Sequence, residues 1–205
     1  MKPASKPLTT TSHALLGLLA LHPWTTYELT KQLQRSLGWF WGRAERKLYD
    51  EPKKLVAAGM ATATGQHTGS RPRTVYAITP GGRTALRAWL SAPSMPPTLE
   101  FEAMVRVFFA DGGTLEQLRT TLAGVETGAV ERLAALRTMI DVVTDAEHDE
   151  FAGRRQVNAL SLRFHLDHER LLIDWARWAL GETAGWKSPN DAAGWDWRAA
   201  LDVGR

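Results

Sequence analysis

Cationic side chains recur in two short stretches of this sequence, and their spacing suits recognition of a polyanion. Between residues 43 and 54 the non-apolar positions are Arg43, Glu45, Arg46, Lys47, Asp50, Glu51, Lys53 and Lys54, while Leu48, Leu55 and Val56 fall on the opposite side at helical spacing. A helix with such a face fits the major groove of duplex DNA. Arginine donates bidentately to guanine O6 and N7, so Arg43 and Arg46 are the candidate base readers, and Lys47, Lys53 and Lys54 are assigned to phosphates. His67, Arg71 and Arg73 form the second group, at the tip of a predicted hairpin that would grip phosphate or probe the minor groove. Tyr27 and Lys31, one helical turn apart, offer a phenol and an ammonium to one phosphate strand. The competing readings are a solvated charged face for residues 43–54 and a core position for Tyr27.

Other residues with chemistry give weaker patterns. His165, Asp167, His168 and Glu169 resemble a metal-ligand cluster, but two imidazoles need a third ligand, and no motif surrounds His13, His22, His67 or His148. Ser161 lacks nucleophile-elbow glycines, and no phosphate-cradling glycine loop occurs. The reading is a protein that is not an enzyme, with no cofactor and no metal. Trp24, Trp39, Trp41, Trp89, Trp175 and Trp178 are read first as core aromatics. Trp39, Trp41, Trp175 and Trp178 could also line a slot for a small aromatic or amphipathic effector.

The elements that must position these residues follow from caps and periodicity. The 205 residues are 44% hydrophobic and contain no cysteine, which excludes a disulfide framework and thiolate metal sites. The longest apolar stretch, 14–21, is too short to span a bilayer, so a cytoplasmic protein without membrane association is expected. Residues 1–90 hold 13 Lys and Arg against 4 Asp and Glu, a balance of +9; residues 91–205 hold 12 against 18, a balance of −6. A basic module beside an acidic one suggests a polyanion surface at one end.

Residues 1–11 read as a flexible arm. Ser12 is expected to cap a helix over 13–21. Thr25 and Glu28 form a capping box for a second helix reaching about residue 37, and a third is expected over 43–58, closed by Gly59. Runs over 60–66 and 73–79 predict a hairpin with its tip at 67–72, and Thr79-Pro80 opens a helix to residue 90. That order describes a winged helix-turn-helix domain over 12–92, followed by a proline-rich linker, 93–98. A helix over 99–110 follows. Thr114 and Gln117 then cap a long helix with Leu115, Leu118, Leu122, Leu133, Leu136 and Ile140 on one stripe. A second stripe carries Val157, Leu160, Phe164, His168, Leu171, Trp175 and Trp178. Both stripes are read as pairing with a second copy, giving a helical dimerisation domain over 99–181, with a tail over 182–205 that no pattern places. The fold class is mainly α: a winged helix-turn-helix domain followed by an all-helical C-terminal dimerisation domain.

The runs ALLGLLAL (14–21), TYELTKQL (26–33), LYDEPKKLVAAGMA (48–61), RPRTVYAITPGGRTALRAWL (71–90) and FEAMVRVFFA (101–110) resemble, in order and spacing, the PadR family of transcriptional regulators. The resemblance implies a cytoplasmic homodimer bound to a palindromic, inverted-repeat operator in double-stranded DNA, usually as a repressor released by a small molecule or stress signal. It places Tyr27 and Tyr49 on the family's tyrosines and 71–73 on its wing. Two departures stand out. Thr26 replaces the family's glycine, and Pro52 lies two places beyond the usual proline, where it should bend or interrupt the third helix. A winged-helix protein-interaction module is the alternative, with a metal-dependent enzyme behind it.

Overall fold

Thr9 opens the first helix, α1 (Thr10–Leu19), by accepting the Ser12 amide on its hydroxyl, while Ser12 Oγ accepts the Thr9 amide. The cap is thus Thr9 rather than the expected Ser12. Ser12 instead supplies the reciprocal half of the box, three residues in. The computed structural model of the chain describes residues 7–38, 50–68, 71–144 and 152–201. Two compact units, Met1–Pro97 and Thr98–Arg205, divide it.

In the first unit α1 is followed by a two-residue strand, β1 (Trp24–Thr25), and by α2 (Thr26–Ser36), whose Thr25/Glu28 capping box is present as expected. The single helix expected over 43–58 is corrected. Asp50 is a turn residue, and α3 covers Glu51–Ala57. Pro52 stands in its first turn, where an amide is not needed for the helical ladder, so the proline starts a helix rather than kinking one. Gly59, with φ of +73°, ends α3. The amides of Gly59 and Met60 return to Val56 and Leu55 carbonyls at 2.9 and 2.8 Å, the paired closure that glycine at this position permits.

Strands β2 (Ala61–Thr68) and β3 (Arg71–Ile78) pair antiparallel from Ala61↔Ile78 out to Thr68↔Arg71. The hairpin is therefore longer than expected, and His67 and Arg71 lie in its strands rather than in a loop. β1 adds on the other side of β3, giving the order β1-β3-β2. α4 (Pro80–Leu90) starts at the Thr79 cap and packs on α1. Leu15, Leu16, Leu18, Leu19, Leu29, Leu33, Leu55 and Tyr76 form the core. Each buried leucine contributes roughly 1.5–3 kcal/mol. Trp24 is buried beside them, and its indole N–H donates to the Leu18 carbonyl at 2.9 Å.

The second unit begins with α5 (Glu102–Phe108), shorter than the 99–110 expected, and a 3-10 turn at Ala110–Gly112. The long helices α6 (Leu115–Thr144) and α7 (Arg155–Glu182) follow. Their partners run in opposite order, Arg119 with the Thr183 and Ala184 carbonyls, Arg177 with Glu126, Arg132 with Glu169, so the pair is antiparallel. Beyond α7 the chain folds back through a Ser188↔Asp191 bridge to a final turn of helix, α8 (Trp197–Ala200). Trp195 Nε1 donates to Glu182, and Asn190 Nδ2 donates to the Asp111 carbonyl.

The expected apolar stripes are both present, but they do different work. Leu118, Leu122, Leu133 and Leu136 are already buried within the single chain, and Leu133 joins Ala129 and Ile173 in the α6–α7 core. Leu115 and Ile140 are half-buried. The α7 face turned inward carries His165, Glu169, Ile173 and Ala176. Its predicted stripe faces out: Leu160, Phe164 and Leu171 are 74%, 63% and 64% exposed, with Trp175 half-buried and Trp178 exposed. Burial pushes the His165 imidazole down from its ordinary value, with the charge of His168 acting the same way and Glu169 opposing both.

Gly82 tests the base of the hairpin. A methyl group there would collide with the Met60 carbonyl oxygen and with Ile78 Cγ1, whereas one at neighbouring Gly81 meets only ordinary contacts. Gly82→Ala should lower the thermal midpoint by several degrees, and Gly81→Ala should leave it unchanged or raise it slightly; equal midpoints would contradict the close approach.

Candidate nucleic-acid interface

The side chains proposed for duplex recognition are distributed unevenly across the described residues. Tyr27 is 72% exposed in the first turn of α2, which settles it away from the core, and Lys31 is exposed one turn later. Lys53 and Lys54 are exposed on α3, each beside an acid three residues earlier: Lys53 Nζ lies 3.9 Å from Asp50 Oδ1, and Lys54 Nζ 3.0 Å from Glu51 Oε2. This part of α3 is thus partly neutralised by its own carboxylates. Arg43, Arg46, Lys47 and Tyr49 lie outside the described residues, as do Trp39 and Trp41.

The hairpin register brings a further residue to Arg73. Gln66 stands directly opposite it, and the Arg73 guanidinium donates to Gln66 Oε1 at 3.2 Å. Pairing of Thr25 with Val75 draws the first turn of α2 against β3. Glu28 senses the result. Its carboxyl is held below the usual range first by the Thr25 amide, then by the Thr25 hydroxyl, with the Arg73 charge adding to the effect. Tyr27, Lys31 and Arg73 are thus exposed on the two elements, α2 and β3, that meet beside the Thr25–Val75 pair. Backbone pairing sets His67 opposite Pro72 and Arg71 opposite Thr68. Sequence reasoning missed Gln66, because its pairing with Arg73 requires the register of the whole hairpin.

The metal-type cluster is not assembled. Asp167 is engaged by Arg163 at 2.6 Å and Arg170 at 3.2 Å, both lowering its carboxyl, and Glu169 is engaged by Arg132 at 3.0 Å. Among the described residues no group of three His, Cys, Asp or Glu could hold a metal ion, and no helix is long and apolar enough to cross a membrane.

Comparison with known proteins agrees with this architecture. Residues 15–88 match the model of the transcriptional regulator PadR-like family, and residues 101–183 match that of the virulence activator alpha C-terminal domain. Over residues 15–88 the chain is thus similar to the PadR-like family of transcriptional regulators. Among PadR-like relatives, the negative transcriptional regulator PadR of Bacillus subtilis is 30% identical over 99 residues, 47% of this chain and 54% of that protein. The Mycobacterium tuberculosis protein Rv1176c, named a probable transcriptional regulator, is 26% identical over 174 residues, 80% of this chain and 92% of its own. The crystal structure of B. subtilis PadR in complex with operator DNA superposes with a TM-score of 0.74 at 22% identity, covering 85% of this chain and 99% of that one. The Vibrio cholerae virulence activator AphA gives 0.65 at 25% identity, covering 84% and 97%.

The Glu28 cap has a defined pH signature. Its folded-state value is depressed, so the stabilisation is present above the ordinary carboxylate range and is lost as pH falls through the lowered value. Glu28→Gln keeps the cap geometry. The variant should melt slightly lower than wild type near neutrality and converge with it in acid, as followed by circular dichroism; a constant gap would show that the carboxylate charge plays no part.

Proposed function

We propose that this PadR-like protein is a repressor that binds an inverted-repeat DNA duplex as a homodimer. Residues 12–92 would form the DNA-binding domain, residues 99–181 the dimerisation domain and residues 93–98 the linker. The observation that carries the reading is the surface where the exposed first turn of α2 meets the wing. Tyr27, Lys31, His67, Arg71 and Arg73 supply phosphate donors there. Arg43 and Arg46, in the chain leading to α3, are assigned to bases, with Lys47 and Tyr49 beside them. Lys53 and Lys54 contribute less, because Asp50 and Glu51 already stand against them.

Dimerisation is supported by the outward face of α7. A helix that buries His165 and Glu169 inside its own chain while leaving Leu160, Phe164 and Leu171 in water is amphipathic toward something other than α6. A second copy satisfies it, and a dyad between two winged domains accounts for an inverted repeat. The interface residues assigned here are Phe164, Leu171 and Trp175, with Leu115 and Ile140 at its margins. B. subtilis PadR has also been crystallised with p-coumaric acid. For this chain the corresponding reading is a small aromatic effector, for which Trp175 and Trp178 are the described candidates. The role is that of a cytoplasmic regulator rather than an enzyme.

Binding to a duplex selected from a random pool, measured across a salt series, tests the reading. Each phosphate contact contributes about 0.9 to the slope of log affinity against log salt. Arg73→Ala should therefore flatten the slope by about one contact, and Lys54→Met by clearly less. Leu171→Glu should yield a monomer by sedimentation and weaken binding at least about tenfold, since one half-site is lost. A folded wild-type protein that ignores every duplex at low salt would overturn the proposal.

A further inference from the structure

Ser12 and Glu51 lie 39 positions apart, one at the start of α1 and the other at the start of α3, yet Ser12 Oγ donates to Glu51 Oε1 at 2.5 Å. Both side chains are buried, Glu51 to 5% exposure. The same Ser12 oxygen accepts the Thr9 amide at 2.9 Å and lies 3.0 Å from Thr9 Oγ1, so its own proton is committed to Glu51. The other carboxylate oxygen receives Lys54 Nζ at 3.0 Å. A polar relay therefore runs from the cap of α1, through a buried carboxylate, to the exposed side of α3.

Stability alone does not call for a carboxylate here. Withdrawing one from water is costly, and a well-packed apolar pair of similar volume is often as stable or more so. What an ionised hydrogen bond adds is direction. Leucine contacts between α1 and α3 tolerate rotation of a seven-residue helix about its axis, whereas a short charge-assisted bond at its first residue does not. Pro52, buried immediately after Glu51, fixes the backbone of the same turn. Glu51 is also too deep to meet a duplex itself. Its effect on DNA must pass through the orientation of α3.

We propose that Ser12 and Glu51 are a positioning pair that fixes α3 against α1, with this buried bond setting which bases Arg43 and Arg46, just ahead of α3 in the sequence, read rather than how firmly a duplex is held. This rests on the DNA-binding function proposed above. The helix α1 then acts as a template, with the Ser12 hydroxyl, rather than the Thr9 cap, as the point from which α3 is aimed.

The test compares affinity for the duplex recovered by wild type from a random pool with affinity for the same bases in scrambled order. Ser12→Ala should lower affinity for the selected duplex about tenfold or more, with scrambled-duplex affinity and its salt slope unchanged. Ser12→Thr, which keeps the hydroxyl, should restore discrimination. Thr9→Ala weakens the α1 cap without touching Glu51, so it should lower the melting temperature and leave discrimination intact. Where Ser12→Ala fails to fold, Glu51→Gln keeps the acceptor and removes its charge, and should reduce discrimination a few-fold in a folded protein. Unchanged discrimination in Ser12→Ala, or in Glu51→Gln, overturns the proposal. So does a loss of discrimination in Thr9→Ala equal to that in Ser12→Ala, since helix stability would then explain both. Wild type that binds selected and scrambled duplexes equally, or neither, defeats the DNA-reading function itself.

Discussion

The packing of α7 against α6 governs much of what the second unit can do. An antiparallel helix pair in one chain seals one face of each helix, and here the face of α7 that is sealed contains His165 and Glu169 together with Ile173 and Ala176. Arg132 and Arg177 reach across to acids on the opposite helix. The seam is therefore part apolar and part ionic, and it displaces the larger apolar residues of α7 by about a quarter-turn, toward solvent. Burying the mixed face and exposing the apolar one makes sense only if the exposed face is covered later. In the dimer proposed above, that event would also create the symmetry with which an inverted repeat is addressed.

In the first unit the ordering principle is different. Its leucine core holds α1, α2 and α3 together without specifying their rotation, and the specific information comes from a few polar contacts between elements. Trp24 Nε1 on the Leu18 carbonyl, Ser12 on Glu51, and Gln66 against Arg73 each join segments that the core alone would leave free to slide or turn. Such contacts are few because each buried one must offset its own desolvation.

Local signals in the sequence were legible because their physics is local. The Thr25/Glu28 and Thr114/Gln117 boxes and the Thr79-Pro80 start depend on residues within one turn, and the structure has all three. The family match rests on runs of such signals. Contacts set by tertiary structure were not legible. Two-residue β1 exists only because β3 passes beside it, and the partner of Ser12 lies 39 residues away. Periodicity identified both apolar stripes, but it cannot say which of two faces of α7 meets α6, so leucines on α6 were assigned to a partner when they serve the chain itself. Lysines 53 and 54 read as a cationic face until the spacing of Asp50 and Glu51 on a short helix is seen to set carboxylates against them.

The absence of a side chain at Gly82 lets the backbone at the start of α4 lie directly on the strand that begins the wing, and Thr79 ties the same point to Gly59 and Met60 through its hydroxyl and amide. With no flexible group between them, helix and hairpin root form a crank with little play. A turn of α4 about this point must therefore carry the root of the hairpin with it.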